Sequence, residues 1–252
     1  MHPRHAVVLL LLCLAVGEAQ AQFAMSAGIE YFSWTEDTQP ISVKERGPLL
    51  TFGLSYTQLK ERGFLFAYQG KFYTGNVDYN GAYLYAPNVP VSGTSTYTGT
   101  WQEGQLRYRL RGGLDLLGAL GVDVWERQLS TTQKEDYQVA YLRLGVESSP
   151  SVRKGWLFGA GVKYPVYTRE NAYFTDFGYD NNPTLSPGKE LSGFANVGYR
   201  FGKNWALIGY LDSFRFSKSN EVTLTVGGTP QATAYQPASD MYVVGVKVEY
   251  QF

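Results

Sequence analysis

The sequence predicts an all-β chain: a transmembrane, antiparallel, up-and-down β-barrel of about ten strands. Three observations predict it. Long segments alternate polar and apolar residues with period two, their connections alternate between short and long, and an export-type N-terminus precedes a chain rich in Tyr, Phe and Gly.

The N-terminal residues set the compartment. Arg4, with His2 and His5, precedes an apolar run from Ala6 to Val16 broken only by Cys13, and Ala19-Gln20-Ala21 offers small residues for cleavage. Residues 1–21 therefore read as a signal peptide, too short in its apolar part for a spanning helix. Leu12 stands where an acylated Cys13 would need a small residue before it. Residues 22–252 read as one barrel domain without cysteine or histidine, so no disulfide framework holds it. Removing Arg4 and Glu18 from 22 basic and 22 acidic residues leaves 21 of each, so no bulk charge draws the chain to nucleic acid.

Ten alternating segments are centred near residues 29, 54, 69, 105, 119, 142, 161, 196, 210 and 246. In the second, Leu50, Phe52, Leu54 and Tyr56 alternate with Thr51, Gly53, Ser55 and Thr57; in the third, Phe64, Phe66, Tyr68 and Phe72 alternate with Ala67, Gln69 and Lys71. In the fourth, Trp101, Glu103, Gln105, Arg107 and Arg109 share one face while Gly104, Leu106, Tyr108 and Leu110 share the other. A helix would mix these faces. Leu191, Ala195, Val197 and Tyr199 alternate with Ser192, Asn196 and Arg200, and Tyr242 to Phe252 alternates to the end. Short connections fall at Glu61-Arg62-Gly63, Arg111-Gly112-Gly113, Ser149 to Gly155 and Gly202-Lys203-Asn204. Longer ones are expected over about 36–47, 76–97, 128–136, 168–190 and 217–239. Short periplasmic turns and long external loops are the pattern of a membrane barrel. A soluble sandwich or lipocalin-like barrel also alternates. Against it stand strands long enough to cross a bilayer at a tilt and an inward set charged on nearly every strand.

The last strand, Lys247 to Phe252, resembles the terminal strand of bacterial outer-membrane proteins, whose final Phe and alternating apolar residues act as an assembly signal; here these are Tyr250 and Phe252. The resemblance implies an outer-membrane location, contact with outer-membrane lipids and lipopolysaccharide, and handling by the barrel-assembly machinery.

Parity assigns fourteen charges to the lumen: Glu30, Lys71, Glu103, Arg107, Arg109, Asp115, Asp123, Arg143, Glu147, Lys163, Arg200, Asp212, Lys247 and Glu249. Balanced charge in a narrow interior predicts ion pairs that plug it. Trp34, Trp101 and Trp125 share parity with these charges and, with Tyr73 and Phe214, are expected to gather near the external mouth, as packing or as a stacking surface for a ligand. Trp156 and Trp205 are expected in the periplasmic girdle. Ten strands also resemble the omptin proteases in number, and the architecture resembles barrels that modify lipopolysaccharide acyl chains. Both chemistries rely on a histidine, which residues 22–252 lack, so neither carries over to any residue. No catalytic residue, cofactor or metal is expected: the amide-rich, acidic stretch Asp176 to Asn182 offers oxygen ligands but matches no calcium-loop spacing. The expected role is structural or surface-binding, through external loops that contact an extracellular ligand. A narrow pore and an outer-membrane enzyme are the alternatives.

Overall fold

The computed structural model describes residues 21–83, 86–148 and 154–252; of the segment read as a signal peptide only Ala21 is among them. Thirteen strands are present: β1 Ala21–Glu36, β2 Val43–Gln58, β3 Gly63–Tyr83, β4 Ala86–Arg109, β5 Leu114–Gln128, β6 Lys134–Ser148, β7 Gly155–Ala172, β8 Thr184–Leu185, β9 Ser192–Phe201, β10 Trp205–Phe216, β11 Val222–Val226, β12 Thr229–Ala234 and β13 Ser239–Gln251. Ten of them, β1 to β7 with β9, β10 and β13, pair antiparallel in a closed circuit, β13 returning to β1. Closure leaves no strand edge inside the membrane. Short β8 adds to the edge of β7, and β11 and β12 form a separate hairpin.

Alternation decides what each strand shows to lipid. Ile29, Leu50, Phe52, Leu54, Phe64, Leu106, Leu120, Leu142, Leu144, Val197 and Val246 stand outward and exposed, forming one apolar belt. At the turn end, Trp156 and Trp205 face outward against Tyr199 and Tyr250, with ring centroids 5.4 and 4.8 Å apart. Phe252 adds an edge contact to Tyr250 at 5.2 Å, and its amide donates to Phe23 O at 3.0 Å. The tight turns place Gly63, Gly112, Gly113 and Gly202 at φ of 82, 92, 82 and 74°, where a Cβ would be strained.

The loop end differs from expectation. Residues 76–97 form no open loop: β3 and β4 run on as a two-stranded ribbon, paired from Gly75–Tyr97 to Ala82–Pro90. Polar side chains link the two strands there, Ser92 Oγ donating to Asn80 Oδ1 and Thr96 Oγ1 to Asn76 Oδ1, each at 2.8 Å. Beyond the lipid no face must be apolar, so the ladder continues where the hydrophobic period stops. The connections expected at 36–47, 128–136 and 168–190 are also shortened by strand, and 217–239 contains the β11–β12 hairpin. Between β6 and β7 the register shifts at Ala140 and Tyr141 of β6, which pair with Tyr167 and Pro165, leaving Val166 of β7 as a bulge beside Pro165. Below it the odd positions Leu157 and Lys163 point inward; above it the even positions Thr168 and Glu170 do.

Inside, three glycines sit directly opposite tyrosines: Gly99 with Tyr73, Gly121 with Tyr141 and Gly245 with Tyr210. In each pair the tyrosine ring lies where a glycine Cβ would be. Small residue and ring thus share one inward site across two strands, which lets large aromatics fill a narrow barrel.

Candidate functional site: a layered lumen

The fourteen charges assigned inward all lie in the lumen, and among the described residues all but Lys247 are hydrogen-bonded to a polar partner. At the turn end, Arg109 grips Asp115 through Nε–Oδ1 at 2.9 Å and Nη2–Oδ2 at 3.0 Å. Next comes a closed circuit from β4 to β6. Arg143 donates to Glu103 and Glu147, both at 3.0 Å; Arg107 lies 2.8 Å from Glu147 and donates through Nε to Gln105 Oε1; Gln105 donates back to Glu103. Arg200 donates to Glu249 at 3.1 Å, while Lys247 lies 3.9 Å from Glu249. In the middle layer Lys71 and Tyr210 both donate to Glu30 at 2.8 Å, Tyr73 donates to Asp123 at 2.8 Å, and Lys163 pairs with Asp212.

Above that layer the predicted aromatic residues come together. Trp34, Trp125, Tyr73 and Phe214 are buried in one cluster with Phe32, Leu49, Tyr97, Tyr137, Tyr141 and Phe216, and Trp101 packs against it from below. Trp125 stacks on Tyr137 with centroids 4.9 Å apart and planes 5° apart. The cluster lies beneath the mouth and fills the bore, so its rings are packing rather than an open stacking surface.

A further layer caps the cluster, and sequence reasoning missed it. Arg127 donates through Nε to Glu45 at 3.0 Å and through Nη1 to Glu36 and Glu135, each at 2.8 Å. Tyr97 and Ser95 also donate to Glu45, and Trp34 Nε1 to Glu36 at 2.9 Å. Gln236, from the last connection, reaches down to Glu36 and Tyr137 at 3.2 and 3.3 Å. Glu170, 2% exposed, completes the group, its Oε2 without a hydrogen-bond partner among the described residues. Parity could have found Glu36, Glu45, Arg127 and Glu135, which continue the inward rows of Trp34, Leu49, Trp125 and Tyr137. The bulge at Val166 hides Glu170, because it reverses parity.

These layers correct the expected plug. The fourteen charges expected to fill the lumen instead line its turn-end half and middle, around a cavity of about 200 Å³. The bore is blocked by the aromatic cluster and the Arg127 cap, towards the loop end.

No protein-family model matches the chain, and no curated protein matches it. Among solved structures it is similar to the outer membrane protease OmpT of Escherichia coli, with a TM-score of 0.53 at 10% identity over 92% of this chain and 96% of that one. The outer membrane protein OprG of Pseudomonas aeruginosa gives 0.40 at 12% identity, over 93% and 97%. The fold is that of an outer-membrane barrel. At such identity the likeness to OmpT extends to the fold alone.

The cap lies above the apolar belt, where outward residues such as Lys44, Arg46, Glu126, Asp136 and Arg169 are charged. Four carboxylates face one guanidinium there, and burial of that excess favours protons. Burial first, then repulsion from Glu135 and Glu36, holds the Glu170 carboxyl well above the usual carboxylate range, with Arg127 opposing; burial also raises Glu135. A carboxyl raised in the folded state contributes stability that is fully present below its unfolded pKa and lost as pH rises through the folded one. The barrel should therefore unfold at a lower temperature in alkaline than in mildly acidic detergent buffer, and Glu170→Gln, fixing the neutral form, should flatten that slope. An unchanged slope in the variant would show that the proton is held elsewhere.

Proposed function

We propose that the chain resides in the outer membrane, exported by a cleaved signal peptide, as a non-conducting scaffold whose external loops bind an extracellular ligand. The observation that carries this reading is the occlusion of the loop-end half of the bore by the aromatic cluster and the Arg127 cap. The loops above it are tied together. The Asp180 carboxylate accepts from the amides of Gly227 and Gly228 at 3.1 and 2.9 Å and from Thr225 Oγ1 at 2.9 Å, joining the β7–β9 connection to the β11–β12 hairpin. Its pKa is lowered first by the Gly228 amide. Asn220 accepts from the amide of Ser186 at 2.7 Å, a second link between the same two connections. Such cross-links pre-organise a surface, lowering the ordering cost of binding. The β3–β4 ribbon, also at the loop end, exposes Tyr83 and Val89.

Outer-membrane lipids, lipopolysaccharide and the assembly machinery acting on Phe252 are the further partners of this reading. Balanced charge gives nucleic acid no foothold. We also infer no enzymatic activity: the only histidines are His2 and His5. A pore is the second reading, favoured by the cavity in the turn-end half. Purified protein in a planar bilayer should give no stable single-channel current; steady currents from the unmodified protein would establish the pore instead.

A further inference from the structure

The cavity in the turn-end half owes its room to two strands. Inward positions on β1 are Ala24, Ser26 and Gly28, and on β2 they are Thr51, Gly53, Ser55 and Thr57, all small. Gln22, Thr57 and Gln251, at the strand ends, also line it, so the space continues to the turn-end mouth. Lys71 on β3 and Lys247 on β13 flank this small-residue wall, since β3 pairs with β2 and β13 with β1.

Its charge is unequal although the lumen as a whole balances. Lys71, Arg107, Arg143, Arg200 and Lys247 line the space, against Glu147, Asp212 and Glu249. The acids Glu30, Glu103, Asp115 and Asp123 sit behind, outside the lining. Lys247 is the least committed of the bases. Its side chain is 28% exposed, its nearest carboxylate oxygen is 3.9 Å away, beyond hydrogen-bond length, and no protein acceptor takes a proton from it among the described residues. Lys71, 23% exposed, spends one donor on Glu30. Trp101, Phe194 and Ile208 supply apolar surface to the same cavity, and the Trp101 indole N–H is buried without an acceptor among the described residues.

We propose that this cavity binds a small organic carboxylate entering from the turn end, its headgroup held by Lys247 and Lys71 above the Ser26, Thr51 and Ser55 hydroxyls, its apolar part against Trp101 and Phe194. A charged acceptor satisfies ammonium donors that the protein leaves open, and charge-assisted hydrogen bonds of this type are the strong ones. The lining is polar over more than half of its residues, with apolar surface concentrated at Trp101, Phe194 and Ile208, which suits a ligand with a charged headgroup and a short apolar part. The site is independent of the surface-binding role, because it lies on the other side of the occlusion.

The test uses fluorine NMR of 4-fluorobenzoate with the purified, folded barrel in neutral detergent. Saturable binding is expected, with none for 4-fluorobenzylamine or 4-fluorobenzyl alcohol, and inorganic phosphate should compete poorly because it cannot use the apolar wall. Lys247→Gln breaks no hydrogen bond within the protein and should weaken 4-fluorobenzoate by about tenfold, as loss of one charge-assisted bond implies. Ser55→Leu, which fills the wall without touching a charge, should abolish it. Equal uptake of all three probes, absence of saturation, or unchanged affinity in both variants would overturn the proposal. Competition by phosphate equal to that of unlabelled benzoate would overturn the organic part of it.

Discussion

Arg127→Ala should be the most damaging single substitution in the loop-end half of this barrel. The guanidinium lies within 3.0 Å of three carboxylates, from Glu36, Glu45 and Glu135, and its side chain is 3% exposed. Removing it leaves those charges in a site that Trp34, Tyr97 and Tyr137 close to water. Breaking one buried pair by deleting a partner costs about 3–5 kcal/mol, and here one deletion strands three acids. Lysine should rescue poorly, since one ammonium cannot reproduce a fork that serves Glu45 from Nε and two other glutamates from Nη1. Acid should restore part of the loss, because the stranded carboxylates can take up protons. Urea unfolding followed by the gel mobility of folded and unfolded forms measures this directly. A shift of about 1 kcal/mol or less in neutral buffer would mean the cap is solvated and contributes little.

The lumen was legible wherever one physical rule held without interruption. Across the membrane each strand must give lipid an apolar residue at every second position, so Arg107 and Leu106 could be assigned opposite sides from sequence alone. Beyond the belt that rule lapses. Glu36, Glu45 and Arg127 continue the inward rows by parity, but they sit on strand continuations whose outward faces are polar too, so the apolar contrast that marks where a strand still runs is lost there. Glu170 was hidden for a second reason, since the Val166 bulge beside Pro165 exchanges inside for outside within one strand. The aromatic cluster was legible as a set of residues but not as a stopper, because parity gives direction and not depth. The cavity was illegible for the same cause: the small inward residues of β1 and β2 become a space only when the closed circuit fixes what stands across from them.

The glycine–tyrosine pairs explain how so many rings fit, and Gly121→Val shows how much depends on them. On propensity alone valine is the better strand residue, so in an empty site the substitution would be neutral or favourable. Here the added Cβ would collide with the Cζ and the hydroxyl of Tyr141, directly across the sheet. That ring is fully buried, its hydroxyl donates to Glu103 at 3.0 Å, and Phe214 meets its edge at 5.5 Å. Displacing it costs an overpacking strain of about 1–3 kcal/mol. It also costs about 1–3 kcal/mol for the broken buried hydrogen bond at Glu103. The sum, on the order of 2–6 kcal/mol, should appear as a lowered urea midpoint and, because the ring belongs to the stopper, as intermittent current in a planar bilayer. Tyr141→Ala removes the obstacle, so adding Gly121→Val in that background should cost little or recover stability. The double-mutant cycle would then give a large coupling between the two positions. Equal costs in both backgrounds would show that the valine harms the barrel through the backbone and not through the ring.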